Sequence, residues 1–246
     1  MLYAQRPLPA LGVVGHAQSR IDRDRLYAHL SSYLPEPVAA ALALQSPSSA
    51  ITAGDQQVTV LFADIRNFSA YVEARPPSEA AAVLHTFYAN AERVVQRHGG
   101  VIEAYQGDSV LAVWSGEPVM QAQRALHAAV ELQDALEGCL PDPAPAGLEP
   151  LALGIGIESG VAMVGSIGPA SRRTHLVMGL TVSVASRLVD MTAELAHPIL
   201  VGEGAVAHLG GGAGLESLGT FLLDGMRVPH HVYGYVLAKA RRSEGY

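Results

Sequence analysis

An α+β fold is predicted for this chain, and three features of the sequence carry the prediction. Apolar strand-like runs alternate with long amphipathic helical stretches in the order βαββαβ. Gly-Gly, Gly-Asp and Asp-Gly steps stand between them, where the chain has to turn. A hydrophobic content of 49% over 246 residues is enough to bury one substantial core. That order is the split βαβ, or ferredoxin-like, arrangement, here with additional strands at its C-terminal end.

Each element has a local reason. Residues 1–19 keep no period and are expected to be loose. From Ile21 to about Leu44 the period is helical, with Leu26, Leu30 and Leu34 on one stripe and Pro35 and Pro37 as breaks. Such an arm either couples or dimerises the domain, or packs on it. Ser46 to Asp55 reads as a linker, which gives an arm over residues 1–50 and a catalytic-type domain over 51–246. Gln57–Ala63 is a buried strand, and Ser78–His98 is a helix with Ser78 as its N-cap. Gly99-Gly100 stops that helix. Val101–Tyr105 and Ser109–Trp114 are strands around Gly107-Asp108, and Pro118 to about Leu136 is a helix opened by proline. Pro141–Pro150 is a loop. Leu151–Glu158 and Val161–Ser166 read as a strand pair joined by Ser159-Gly160. Leu180–Glu194 is helical, Pro198–Val201 is a short strand, and Leu218–Leu223 with Val228–Leu237 form a hairpin around Asp224-Gly225. There is no internal repeat.

Composition removes several function classes. A net charge of −7 leaves no basic patch for nucleic acid. The single cysteine, Cys139, cannot build a disulfide framework and fits a reducing compartment. No apolar run has membrane-spanning length and no signal peptide is evident, so a soluble cytoplasmic protein is expected.

Two stretches carry the chemistry. In Val58-Thr-Val-Leu-Phe-Ala-Asp64-Ile-Arg-Asn-Phe-Ser69 an apolar run ends on Asp64. In Gly99-Gly-Val-Ile-Glu-Ala-Tyr-Gln-Gly-Asp108-Ser-Val-Leu-Ala-Val-Trp114, Asp108 follows Gly107 between two strands. Alone, either Asp reads as an ordinary helix cap. Two carboxylates brought together at strand ends make a hard-cation site, suited to Mg²⁺ or Mn²⁺ carrying a polyphosphate.

Together with Val182-Ser-Val-Ala-Ser-Arg187-Leu, these stretches resemble the catalytic domain of class III nucleotidyl cyclases, with the motifs in the family's order between about Asp55 and Leu237. The resemblance implies cyclisation of a nucleoside triphosphate to a 3′,5′-cyclic nucleotide and pyrophosphate. It assigns two divalent ions to Asp64 and Asp108, with the carbonyl of Ile65 as a further ligand. One ion lowers the cost of a 3′-oxyanion; the other neutralises the triphosphate and the leaving pyrophosphate. The turn through Asn67, Phe68 and Ser69 offers backbone N–H groups to phosphate oxygens. Arg172 and Arg227 are further phosphate candidates, since Asp224 takes the place of the family's hairpin lysine.

The base and ribose side departs from the family. Ala104 stands where the purine-reading lysine is usual, and Leu176 where its Asp or Thr partner is usual. Tyr105 and Gln106 beside the Gly-Asp turn are substitutes, offering a stacking face or an amide. The family's transition-state pair, an Asn and an Arg four residues on, is here Ser183 and Arg187 on one helix face. Arg187 keeps the fork that suits a phosphate in transfer, and Ser183 keeps only a short hydroxyl. The ribose 3′-OH is the nucleophile, so Ser159, His175 and His197 receive no catalytic role.

Two readings follow. One is an active cyclase whose site needs the metal side of one chain and the Ser183/Arg187 side of another, hence a head-to-tail homodimer or a heterodimer with another cyclase chain. ATP is the default substrate, with GTP or a pyrimidine triphosphate open. The other is a catalytically degenerate relative that binds nucleotide as a sensor or serves as the regulatory half of a heterodimer.

Overall fold

The structure, a computed structural model, describes residues 52–136, 149–169, 174–210 and 214–236, together with scattered positions between 21 and 40. The chain divides into two compact units, Met1–Pro47 and Ser48–Tyr246. In the first, the described residues at 21–22, 24–25, 28–29 and 38–40 are helical. The Pro35 carbonyl accepts the N–H groups of Val38 and Ala39 at 2.9 and 3.0 Å. Residues 1–19, Leu26, Leu30, Cys139 and most of the Pro-rich loop lie outside the described residues.

The second unit runs β1 (Thr52–Arg66), α1 (Phe68–Ala74), α2 (Pro77–Arg97), β2 (Val101–Gln106), β3 (Ser109–Ser115), α3 (Pro118–Leu136), β4 (Ala152–Ile167), β5 (Thr174–Met178), α4 (Leu180–Met191), β6 (Ile199–Gly202), α5 (Glu203–Leu209), β7 (Leu215–Phe221) and β8 (His230–Tyr235). The sheet order is β2-β3-β1-β4-β6-β8-β7, with β5 paired to β4. β1 lies between β3 and β4 and is antiparallel to both, as the split βαβ order requires.

From Val58 to Ala63 β1 is buried on both faces, which is why this stretch reads as a near-continuous apolar run rather than an alternation. Leu61, Ala63 and Ile65 join Trp114, Ile155 and Ile157 beneath Phe87 and Val94 of α2 and Leu132 and Leu136 of α3. Val58, Val60 and Phe62 face the opposite way, with Leu111, Val113, Ala162 and Val177, under Ala185 and Val189 of α4. Each large side chain removed from water in this way contributes about 1.5–3 kcal/mol. These two layers fix β1 from Val58 to Ile65, and so the position of Asp64.

Several expectations are corrected. β4 is one strand of 16 residues rather than a pair joined at Ser159-Gly160, and β1 pairs with it from Thr52 to Arg66. Residues 52–55, expected in a linker, therefore belong to the sheet. Gly160 is a spacing residue: a Cβ there would lie 2.6 Å from Thr181 Oγ1 of α4. Beside it the Ser159 and Thr59 hydroxyls share a hydrogen bond of 2.7 Å. Ser78 is not an N-cap, because α2 starts at Pro77, capped by Pro76, where the missing N–H of proline costs nothing. α1, β5 and α5, of 7, 5 and 7 residues, are too short to impose a period and were not anticipated. α4 ends at Met191, short of Glu194. Among the described residues no helix is long and apolar enough to cross a membrane.

Candidate active site

The antiparallel register of β1 and β3 sets Asp64 directly opposite Ser109, beside the β2–β3 turn. Gly107 opens that turn with φ 62, a left-handed conformation in which a Cβ would be strained, and Asp108 follows it. Three elements hold the arrangement. The Ile65 N–H of β1 donates to the Asp108 carbonyl at 3.1 Å. The Ser109 hydroxyl of β3 donates to Asp64 Oδ2, and the Tyr88 hydroxyl of α2 donates to the Gly107 carbonyl. The Tyr88 ring also packs on Tyr105, with centroids 4.4 Å apart.

Loss of water is the main reason the Asp64 carboxyl is pushed above its usual range. The Ser109 hydrogen bond opposes this, and the negative charges of Asp108 and Asp190 add to it. A partly dehydrated carboxylate facing two like charges is relieved by a cation, and its donors are hard oxygens, so these residues fit a divalent ion of the Mg²⁺ type. Among the described residues no three His, Cys, Asp or Glu side chains converge on one point. The protein's share of the coordination would thus be the two carboxylates and backbone such as the Ile65 carbonyl. The side chain of Ile65 is core, 1% exposed.

In the adjoining turn, Asn67 takes φ 66 and its Nδ2 donates to the Pro150 carbonyl at 3.0 Å and to Glu149 Oε2 at 3.4 Å. Phe68 is buried and stacks on Tyr71, while Ser69 is exposed. The side chains of Asn67 and Phe68 thus serve the fold. Arg66 Nε is buried without a hydrogen-bond partner among the described residues. Arg227 is exposed between β7 and β8, and Arg172 lies outside the described residues.

The α4 side is differently occupied. Ser183 Oγ donates to the Gly179 carbonyl one turn back, at 3.3 Å. Arg187 pairs with Asp190 at 2.9 Å and with Asp224 at 3.8 Å, its side chain 42% exposed. Ala104 packs on the Val58–Val60–Phe62 cluster, which also holds Val177. Alternation along β5 places Leu176 on the opposite face of that strand from Val177, so Ala104 and Leu176 are not brought together. Tyr105 is exposed and its phenol is pushed up to about 12, first by desolvation and then by the charges of Glu92 and Tyr88. Gln106 is exposed beside it.

Three acid or imidazole groups were given no role by sequence reasoning. Glu103 and His175 form a buried pair between β2 and β5. Glu158, 5% exposed on β4, accepts the N–H groups of Ser159 and Ala205 at 2.7 and 2.9 Å. Desolvation pushes its carboxyl up to about 7, against those hydrogen bonds. A Glu inside an apolar strand run was the signal for it.

The profile of the adenylate and guanylate cyclase catalytic domain matches residues 52–239. The chain belongs to that family. It is 34% identical over 184 residues to adenylate cyclase 1 of Rhizobium meliloti (strain 1021), covering 74% of this chain and 28% of the relative. It is 32% identical over 161 residues to an adenylate cyclase of Anabaena cylindrica, covering 64% of this chain and 32% of the relative. The aligned part is therefore under a third of the length of both relatives. Among solved structures, a bacterial light-regulated adenylyl cyclase superposes with a TM-score of 0.75 at 20% identity, over 98% of this chain and 68% of that one, a likeness of fold. The guanylyl cyclase Cya2 superposes with a TM-score of 0.63 at 26% identity, over 76% and 95%.

Proposed function

We propose that this cyclase domain converts a nucleoside triphosphate to its 3′,5′-cyclic nucleotide and pyrophosphate, at sites shared by two chains. The observation that supports it most is the pairing of Asp64 with the Gly107-Asp108 turn, where burial and like charge leave a carboxylate in need of a cation. The ribose 3′-oxygen forms a bond to the α-phosphorus, and the bond from that phosphorus to the β-bridging oxygen breaks. Positioning and charge stabilisation set the rate of such a transfer. Two bound Mg²⁺ or Mn²⁺ ions would supply Lewis acidity toward the 3′-oxygen and the polyphosphate. Asp64 and Asp108 would hold that charge in place, while Ser109 orients the Asp64 carboxylate and Tyr88 holds the Gly107 backbone beside Asp108. From α4, the Arg187 fork meets charge gathering on the α-phosphate once it exchanges Asp190 and Asp224 for substrate. The Ser183 hydroxyl reaches the ribose only by giving up the Gly179 carbonyl. Likeness to proteins named adenylate cyclase makes ATP the default substrate.

A second reading is favoured by a specific observation. Arg187 is held by two carboxylates of its own chain, and the two base-pocket positions are apolar. A nucleotide-binding sensor or the regulatory half of a heterodimer would need no more. The deciding experiment incubates the purified chain with Mn²⁺ and, separately, ATP, GTP, CTP and UTP, and resolves products by chromatography and mass. A cyclic nucleotide that disappears with Asp108→Ala supports catalysis. Metal-dependent binding with no product from any of the four supports the second reading.

A further inference from the structure

A net charge of −7 averages over a local excess of cations that the fold assembles where α2 ends. Arg93 and Arg97 come from the last turns of α2, His98 caps it, and Arg124 and His127 come from the middle of α3. Glu131 of α3 is the acid among them. Arg97 and Arg93 both donate to its Oε1, Arg93 at 3.5 Å, and His98 Nε2 meets its Oε2 at 2.9 Å. The His98 hydrogen bond first, and then the charges of Arg97, His98 and Arg93, hold the Glu131 carboxyl below its usual range against slight desolvation. The His127 ring lies 6.3 Å from that of His98. Arg124 reaches the same corner, since a Cβ built on Gly99 would lie 3.5 Å from its Nη1.

The corner is held in place from beneath. Trp114 Nε1 of β3 donates to the His98 carbonyl at 3.0 Å, and its ring lies so close to Gly100 that no Cβ would fit. Gly99, exposed and with φ 71, adds no side chain to the space beside Arg124. The other acids of the two helices have partners of their own. Glu79 pairs with Arg75, Glu92 accepts from Gln96 at 3.2 Å, and Asp134 is also engaged. One carboxylate thus stands among three guanidinia and two imidazoles. Fold stability does not account for the set. Cations near a helix C-terminus complement its dipole, which covers Arg97 and His98 but not Arg124 and His127. Exposed ion pairs, for their part, stabilise a fold only slightly.

We propose that this cluster is a binding site for a condensed phosphate (pyrophosphate, inorganic triphosphate or the phosphate tail of a nucleotide), apart from Asp64 and Asp108 and independent of divalent metal. A guanidinium carries its N–H donors in a planar fork that matches phosphate oxygens two at a time, and Glu131 occupies only some of them. No lysine stands on either helix, so the charge is carried by the group that binds phosphate with directional geometry. A condensed phosphate gathers several negative charges in a small volume, which answers clustered cations better than separate carboxylates do. The cluster stands at the start of β2 and the Gly107-Asp108 turn at its end, about 17–20 Å of strand away. α2 and α3 cover the sheet face that carries Leu61 and Ile65, whereas alternation puts Asp64 on the α4 face. The site therefore does not rest on the cyclase reading.

The test is calorimetric titration of the full chain, in metal-free buffer at low salt, with pyrophosphate, inorganic triphosphate and ATP. Saturable binding of triphosphate is expected, weakening as salt rises. Arg97→Gln and Arg124→Gln, both at exposed positions, should each lower the affinity about tenfold without moving the melting temperature. Arg187→Ala should leave it unchanged. Pyrophosphate should bind no more tightly than triphosphate, and ATP with similar affinity, because only the phosphates are recognised. No binding to the wild-type chain overturns the proposal, and so does an affinity unmoved in both Arg97→Gln and Arg124→Gln. Loss of metal-free binding with Arg187→Ala would place the phosphate on α4 and overturn it equally. A tetra-glutamate peptide binding as tightly as triphosphate would reassign the surface to an acidic protein partner and also overturn it. A chain that binds triphosphate without metal but makes no cyclic nucleotide keeps this site and loses the function proposed above.

Discussion

At the end of β1, contacts from β1, β3 and α2 hold Asp64 and the Gly107-Asp108 turn together, and burial and like charge push the Asp64 carboxyl above its usual range. On α4, Arg187 and Ser183 stand one turn apart and each is satisfied within its own chain, by Asp190 and Asp224 or by the Gly179 carbonyl. Under the function proposed above, the first region would meet its ligand already formed, whereas the second would have to exchange partners before it could act. Cost would then fall on different steps: metal and polyphosphate binding on a formed site, transition-state stabilisation against competing ion pairs.

Breaking the first region should have the largest effect. Asp64→Ala or Asp108→Ala is expected to lower Mn²⁺-dependent cyclase turnover at least about a thousandfold while the melting temperature holds, because a charge-stabilising centre is lost rather than a core. For Asp64 the metal-free chain should melt slightly higher as Asn than as Asp at neutral pH, since its carboxyl is raised by burial and neighbouring charge. Arg187→Ala comes next, with a loss of about 10²–10³ in kcat and little change in metal dependence. The competing ion pairs are tested in the opposite direction: Asp224→Asn should raise kcat a few-fold at low salt and less at high salt, as its partner pairing is exposed and screened. Tyr88→Phe removes only the bond to the Gly107 carbonyl, and should raise the Mn²⁺ concentration for half-maximal rate by roughly three- to tenfold. If that variant left the Mn²⁺ titration unmoved, the turn would be held well enough by β1 and β3 alone.

The smallest effect concerns the fold, not the site. Burial pushes the Glu158 carboxyl up to about 7 from an ordinary 4.5, so between these pH values the native state holds a proton that the unfolded state has lost. Stability from this group is fully present below about pH 4.5 and falls as pH rises to about 7, by on the order of 3 kcal/mol at most. Melting temperature should decline across that window, and Glu158→Gln should flatten the decline.

Asp64 and Asp108 were legible as neighbouring candidates because each interrupts a local pattern, an apolar run in one case and a glycine turn in the other. The long strand β4 was not, since Gly160 carries the same letter whether it turns a chain or admits a helix; only Thr181, 21 positions on, tells them apart. Arg187 could be assigned from its spacing to Ser183, and its partner Asp190 lies one turn along the same helix, but Asp224 arrives from the distant β7–β8 connection. Glu103 and His175 escaped for a related reason. A bulge and a strand of five residues bring them together, and neither leaves a period in the sequence.

The most direct measurement of the shared-site account mixes Asp64→Ala and Arg187→Ala chains, each inactive alone, and follows cyclic nucleotide formation. Random pairing leaves one intact site in each mixed head-to-tail dimer, so activity should return to about a quarter of wild type. Mixed dimers confirmed by mass with no recovered activity would contradict it.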